Sequence, residues 1–71
     1  MDNVLKIFAE RLKELREEKN ISIQTLATNT KIGSSSISRW ENEQAEPKCT
    51  QLVVLAKYFG VTIDYLMGLE N

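Results

Sequence analysis

A run of hydrogen-bonding side chains near the middle of the chain offers the clearest chemistry in this sequence. Ser34, Ser35 and Ser36 are followed closely by Ser38 and Arg39. Hydroxyl groups both donate and accept hydrogen bonds, and a guanidinium presents several donors in a planar fork. A helix that carries such groups is narrow enough to enter the major groove of DNA, and its side chains suit base edges and phosphates. The run therefore predicts a DNA-contacting surface.

Apolar residues around this run predict two short helices joined by a tight connection. Leu26 and Ala27 lie on the inner face of the first pattern, and Ile32 sits in the connection. Ile37 and Trp40 repeat at i, i+3 on the second pattern. Ala27 is small at a place where two helices must cross closely. The second helix therefore has one face for a core and another face for the polar groups.

Helical spacing continues on both sides of this pair, and no stretch alternates strongly enough to be a strand. Asp2 and Asn3 are good caps for a first helix, and Asn20 and Gly60 suit left-handed helix ends. We predict an all-α fold, a compact five-helix bundle that forms a single domain over residues 1–71. The predicted helices span about residues 3–19, 23–29, 34–41 and 48–59, with a short last helix from Thr62 to Met67 and a helix-turn-helix unit at about 23–42.

The composition limits the class of protein. Hydrophobic residues make up 42% of the 71 residues and charged residues 27%, which is ordinary for a globular protein and unlike a disordered one. No apolar run reaches the roughly 18 residues of a membrane-spanning helix, and the first residues do not resemble a signal peptide. The single Cys49 excludes an internal disulfide, fits a cytoplasmic location, and is better explained as a small filler at a helix start than as a redox sensor.

The residues needed for catalysis or metal binding are missing. The sequence contains no histidine, and one cysteine cannot build a zinc site. It has no glycine-rich phosphate loop, and its carboxylates lie on predicted exposed helix faces rather than in a pocket. We therefore predict no enzyme activity, no metal site, no cofactor and no small-molecule ligand.

The charge distribution gives mixed evidence about DNA binding. The net charge is −1, from nine basic and ten acidic residues, whereas a nucleic-acid-binding surface is expected to be basic. Glutamates crowd the first helix, but no acidic residue occurs between Gln24 and Arg39, where Lys31 is the other charged residue. The predicted surface is therefore weakly positive, and we expect few phosphate contacts.

Taken in order, the segments FAERLKELREEK, SIQTLA, SSSISRWEN and LVVLAKYFGVTIDYLMG resemble the phage repressor and Cro family of helix-turn-helix proteins, from Phe8 to Gly68. The resemblance implies a lambda-repressor-like fold in which the helix bearing SSSISRW lies in the major groove. It also implies that Arg16 and Glu41 form a salt bridge that ties the first helix to the third. The implied DNA-binding residues are Gln24, Lys31, Ser34, Ser35, Ser36, Arg39 and Asn42.

The sequence departs from the family pattern at four places. One is Thr30, which stands where an apolar residue is usual. Ile23 stands where a polar residue usually touches DNA at the start of the second helix. Lys31 stands where the turn usually has glycine, and a left-handed backbone there would cost roughly 1–2 kcal/mol. The loop after the third helix reads ENEQAEPK, so that Glu43 and Glu46 would repel any phosphates they face.

Several residues also have ordinary structural explanations. Three serines at a helix start can be simple N-terminal chemistry, because serine favours caps. Arg39 taken alone could be a solvated charge. Lys31 and Lys48 could each contact a phosphate or be ordinary surface lysines. Trp40 is better explained as a core residue than as a stacking platform.

The leading interpretation is a sequence-specific transcriptional regulator, a repressor in the cytoplasm of a bacterium or a phage-infected cell. It would bind double-stranded DNA as a homodimer, on half-sites about 34–36 Å apart. The alternative is a protein-interaction regulator on the same fold, resembling an antirepressor, which the acidic loop favours. The operator, the sign of regulation and the inducing signal stay open. A dimer interface could use the apolar residues near the C-terminus, which are Val61, Ile63, Tyr65, Leu66, Met67 and Leu69.

Overall fold

The computed structural model describes residues 3–71, which form five helices and no strand, as the helical spacing predicts. The predicted boundaries agree with the observed ones to within about one residue, and the predicted cap Asp2 lies outside the described part of the chain. The helices are α1 (Val4–Glu18), α2 (Ile23–Thr30), α3 (Ser34–Glu41), α4 (Cys49–Phe59) and α5 (Ile63–Leu66).

One apolar core holds these helices together. Trp40 is buried beside Phe8, with the ring centroids 6.1 Å apart in an edge-to-face arrangement. The indole is therefore a core group, as the sequence predicts, and α3 is packed against both α1 and α2. This packing orients the polar face of α3 outward. The largest fully buried side chains are Phe8, Leu12, Leu26, Ile37, Leu55 and Leu66.

Left-handed residues end the helices and turn the chain sharply. Asn20 and Gly60 have φ of 56° and 69°, which confirms the predicted stops. α3 ends in the same way at Glu43, with φ of 60°, which the sequence did not indicate. In this Schellman arrangement the backbone N–H of Gln44 donates to the carbonyl of Arg39 at 2.7 Å. The loop after α3 is therefore anchored to the helix itself.

The helix starts follow the cap chemistry only in part. The hydroxyls of Ser22 and Thr62 accept from the backbone N–H of the residue three positions on, at 3.0 and 2.9 Å. Asn3 occupies the cap position of α1, but its side chain makes no capping hydrogen bond. Cys49 is exposed at the first position of α4, so the prediction that it fills space in the packing is wrong.

Candidate nucleic-acid interface

α2 and α3 are joined by only three residues, 31–33, and cross at a small buried side chain. Ala27 on α2 and Ile37 on α3 are both buried, and Ile32 is buried within the connection. The two helices pack directly against each other, as in a helix-turn-helix unit. The short connection and the shared core fix the direction in which α3 projects its polar face.

The exposed line on this face consists of Ser35 and Arg39 on α3 and Asn42 at the C-cap of α3. Residues spaced by four and then three positions lie on one face of a helix, so these three side chains share a surface. Ser34 and Ser36 are half-buried on its two flanks. The structure therefore ranks the candidates, with Ser35 and Arg39 presented most openly.

The side-chain amide of Asn42 is partly engaged in a hydrogen bond with α3. Its side-chain amide nitrogen donates to the carbonyl of Ser38 at 2.8 Å, and its backbone N–H donates to the same carbonyl at 3.1 Å. The amide has a second N–H and an oxygen that this contact does not use. Asn42 therefore closes the end of α3 and retains groups that could meet a phosphate.

The start of α2 lies beside the turn and presents a mixed surface. Gln24 is exposed in the first turn of α2, as a DNA-contacting side chain must be. Ile23, at the position where the family usually has a polar residue, is half-buried and packs against the core. At this position the chain therefore has an apolar side chain in contact with the core instead of the usual polar group.

Lys31 occupies a strained backbone position in the turn. Its φ is 61° and its ψ 28°, in the left-handed region, and its side chain is exposed. This conformation costs an ordinary residue roughly 1–2 kcal/mol, and glycine avoids most of that cost. A lysine at this position adds an exposed positive charge in the turn between α2 and α3.

Replacing Lys31 with glycine is expected to raise stability and weaken DNA binding together. Relief of backbone strain exceeds the added entropy of the unfolded glycine, so the free energy of unfolding should rise by about 0.5–1 kcal/mol. Loss of a phosphate contact should weaken binding to all sequences alike and flatten the salt slope by about one unit. Urea unfolding and titrations with duplex DNA over a range of salt would measure both quantities.

Glu43→Gly is the matched control, because it relieves the same strain at φ of 60° but removes a negative charge. It should stabilise the fold to a similar degree without weakening DNA binding. Unchanged DNA affinity and salt slope in Lys31→Gly would remove Lys31 from the interface.

A bidentate ion pair ties the end of α3 to α1. The Arg16 guanidinium donates to the two carboxylate oxygens of Glu41 at 2.8 and 3.0 Å, and donates to the carbonyl of Ile21 at 2.9 Å. Only 13% of the Arg16 side chain and 6% of the Glu41 side chain is exposed. The hydrogen bond with Glu41 raises the pKa of Arg16, although desolvation lowers it. The Arg16 guanidinium therefore stays charged, and it lies against the one carboxylate on α3.

The glutamates of α1 lie on the solvent-exposed side of that helix. Glu10, Glu14, Glu17 and Glu18 are exposed, whereas α3 packs on the buried side of α1. Glu46 lines a groove of about 180 Å³ that α1, α4 and the end of α5 form. The negative net charge is therefore unevenly distributed, and Glu43 is the carboxylate next to α3 that the Arg16 contact does not neutralise.

Two ties between helices were not foreseen from the sequence. The Asn29 side-chain amide donates to the Tyr58 hydroxyl at 2.9 Å and joins α2 to α4. The Arg11 guanidinium donates to backbone carbonyls of Tyr65 and Glu70 and joins α1 to the C-terminal segment. Both contacts join residues that are far apart in the chain, and such contacts leave no spacing pattern that could have indicated them from the sequence.

Within residues 3–71 no helix is both long and apolar enough to cross a membrane. The same residues contain no group of three histidine, cysteine, aspartate or glutamate side chains that could hold a metal ion.

The protein-family model described as "Helix-turn-helix domain" matches residues 9–71 of the chain. No solved structure matches the chain. Curated relatives do match, and the chain spans only part of each. The uncharacterized HTH-type transcriptional regulator YobD of Bacillus subtilis (strain 168) is 33% identical over 65 residues, which cover 92% of this chain and 58% of YobD.

Two further relatives have names that state opposite regulatory effects. The HTH-type transcriptional activator BcrR of Enterococcus faecalis is 36% identical over 64 residues, covering 90% of this chain and 31% of BcrR. The HTH-type transcriptional repressor RghR of Bacillus subtilis (strain 168) is 34% identical over 61 residues, covering 84% of this chain and 45% of RghR. These regions of similarity do not by themselves distinguish activation from repression.

Proposed function

Because the chain belongs to the helix-turn-helix domain family, we propose that it is a sequence-specific regulator of transcription that reads the major groove of double-stranded DNA with α3. α2 lies across the phosphate backbone and braces α3 in this arrangement. The whole chain, residues 1–71, acts as one DNA-binding unit in the cytoplasm.

The exposed line of Ser35, Arg39 and Asn42 is the observation that carries this proposal. It is about 10 Å long on a helix with a rise of about 1.5 Å per residue, which fits a few base pairs of the major groove. No carboxylate occurs from residue 22 to residue 40, and the carboxylate of Glu41 is neutralised by Arg16. A surface with hydroxyl, amide and guanidinium groups and little negative charge suits DNA.

Each group on this surface has a distinct task in the proposal. Arg39 has the one side chain on α3 that can donate two parallel hydrogen bonds to guanine O6 and N7. Ser35 adds a contact to a neighbouring base edge, and Ser34 and Ser36 bond to base edges or phosphates on either flank. Gln24, Lys31 and Asn42 bind phosphates and so fix the register of α3 on the duplex.

Replacing Arg39 with alanine is expected to weaken binding to the operator by about 5- to 150-fold, because a bidentate base contact contributes roughly 1–3 kcal/mol. The variant should also discriminate less between the four bases at one position of the operator. The melting temperature should stay within experimental error, because the Arg39 side chain is exposed. The measurement is a titration of an operator, selected from a random duplex pool, and of its single-base variants.

Two variants show whether a loss of affinity comes from the missing base contact or from the missing positive charge. Arg39→Lys keeps the charge but not the fork, so it should retain the non-specific affinity and lose the base preference. Lys13→Ala removes a charge from an exposed position on α1 and should change neither quantity. If Arg39→Ala bound the operator as tightly as the parent, with the same base preferences, α3 would not read DNA through this face.

We propose repression as the regulatory effect. A protein bound at a promoter excludes polymerase by occupancy, which needs no surface besides the one that contacts DNA. We also propose binding as a homodimer, because one short helix reads too few base pairs for a tight site, and two copies on adjacent half-sites double the contacts. A reporter gene under the selected operator measures the sign of regulation.

The outer face of α1 supports a second candidate function, a protein-interaction regulator. Its four exposed glutamates could meet a basic partner protein. A gel-shift assay with random duplex at low salt separates the two functions. Retardation supports the DNA-binding regulator, and its complete absence supports the interaction module.

A further inference from the structure

The ends of three helices meet at the side chain of Tyr58. Tyr58 lies in the last turn of α4, Asn29 lies in the last turn of α2, and Lys19 is the C-cap of α1. The Asn29 side-chain amide donates to the Tyr58 hydroxyl at 2.9 Å, and the Lys19 ammonium lies 5.5 Å from the centroid of the Tyr58 ring. One phenol side chain therefore joins α1, α2 and α4 at the place where α2 ends.

The surroundings of the Tyr58 ring hold its hydroxyl in a fixed place. The ring is half-buried, packs against the apolar core, and lies edge-to-face with Phe59 at a centroid distance of 5.0 Å. The Lys19 ammonium lies over the ring, in the geometry of a cation–π contact. A ring held from several sides leaves its hydroxyl little freedom, so an amide bonded to that hydroxyl is held as well.

The bonded amide belongs to the segment that leads into Lys31. Asn29 precedes Lys31 by two residues, and the hydroxyl of Thr30 between them donates to the carbonyl of Leu26 at 2.7 Å. Ile32, which follows Lys31, is buried in the core. Lys31 therefore stands between two anchored segments, one held by α4 and one held by the core.

Lys31 needs such anchors because its backbone is strained. Its φ of 61° lies in the left-handed region, where a residue other than glycine stays only if the surrounding structure holds it there. Burial of Ile32 fixes the chain on one side of Lys31 only. The hydrogen bond between Asn29 and Tyr58 fixes the chain on the other side, so both ends of the strained segment are held.

We propose that Tyr58 is a positioning residue for DNA binding, because its hydroxyl holds the end of α2 so that Lys31 presents its ammonium group to a phosphate. The inference rests on the proposed function and adds a residue of α4 to it. Tyr58 acts through Asn29 and need not touch the duplex. A phosphate-binding group that is fixed in advance loses less entropy on binding, so this brace raises the affinity for every DNA sequence alike.

The Tyr58 contact differs in its expected effect from the ion pair at the end of α3. Arg16 and Glu41 hold the helix that carries the proposed base contacts, whereas Asn29 and Tyr58 hold the end of α2. Loss of the Tyr58 hydroxyl should therefore change the sequence-independent part of binding and leave the base preference unchanged. A loss of fold stability alone changes neither quantity at a temperature where the variant is fully folded.

The test measures binding of the 71-residue chain to the selected operator, its single-base variants and a random duplex over a range of salt. Tyr58→Phe removes the hydroxyl and keeps the ring. It should weaken binding to all of these duplexes by about 3- to 10-fold, flatten the salt slope by up to about one unit, and leave the order of base preferences unchanged. Circular dichroism at the assay temperature establishes that the variant is folded.

Three further variants sharpen the comparison. Asn29→Ala, at an exposed position, should give the same loss as Tyr58→Phe, and the double variant should bind no more weakly, because both changes remove one contact. In a Lys31→Gln background, which lacks the charge, Tyr58→Phe should have no additional effect. Tyr65→Phe is the matched control, because it removes a hydroxyl from a half-buried tyrosine that meets Arg11 through its ring and its backbone carbonyl.

Parent-like affinity and salt slope in a folded Tyr58→Phe would overturn the proposed role. A full additional loss in the Lys31→Gln background would also overturn it, since Tyr58 would then act elsewhere. A loss in Asn29→Ala without one in Tyr58→Phe would make Asn29 a direct phosphate ligand and remove Tyr58 from the account. A parent chain that binds none of the duplexes would contradict the proposed function itself, so the two failures are distinguishable.

Discussion

Trp40→Ala is expected to lower the free energy of unfolding by about 3–5 kcal/mol, which would leave much of the protein unfolded at room temperature. The indole is 2% exposed and lies edge-to-face with Phe8 where α3 packs on α1. Truncation would leave a cavity that so small a core cannot fill. Urea unfolding followed by circular dichroism is the measurement, because Trp40 is the only tryptophan and its fluorescence is lost with it.

Trp40→Phe is the appropriate comparison for this substitution. It keeps an aromatic ring against Phe8 and removes less volume, so its cost should be clearly smaller. A melting temperature that is unchanged in Trp40→Ala would show that the indole does not stabilise the core, and the packing of α3 on α1 would need another explanation.

Breaking the ion pair between Arg16 and Glu41 is the second large effect. Removing either partner leaves the other nearly covered and uncompensated, so Arg16→Met or Glu41→Gln should each cost about 2–4 kcal/mol. This range lies between the values for exposed and buried pairs. The double mutant should be less destabilised than the sum of the single mutants, with a coupling free energy of about 1–3 kcal/mol. Chemical unfolding of the four proteins of the cycle gives this value.

The cycle also tests whether the pair positions α3. Arg16 donates to the carbonyl of Ile21 as well, so the guanidinium joins the ends of α1 and α3 to the start of α2. Glu41→Gln keeps the shape of the side chain and should weaken operator binding several-fold by loosening the end of α3. Strict additivity of the two single changes would mean that the two groups contribute independently, and the pair would then have no bracing role.

The proposed recognition surface shows why the sequence could predict a site without ranking its residues. The serines and Arg39 stand together in the sequence, and helical periodicity separates them from Ile37 and Trp40. Ser34 and Ser36 are half-buried because α3 packs against both α1 and α2. Exposure on the flanks of a helix depends on how its neighbours cross it, which periodicity does not encode.

Sequence by itself determined the local structure of this protein, namely five helices, most of their ends and the core residues. Apolar spacing, serine and threonine caps and glycine stops all act within a few residues, so they can be recognised along the chain. The tertiary structure alone decided the contacts between distant segments. The clamp of Arg11 on Tyr65 and Glu70 and the hydrogen bond from Asn29 to Tyr58 are of this kind. Such features depend on which segments the folded core brings together, because a carbonyl group attracts a guanidinium whatever side chain its residue carries.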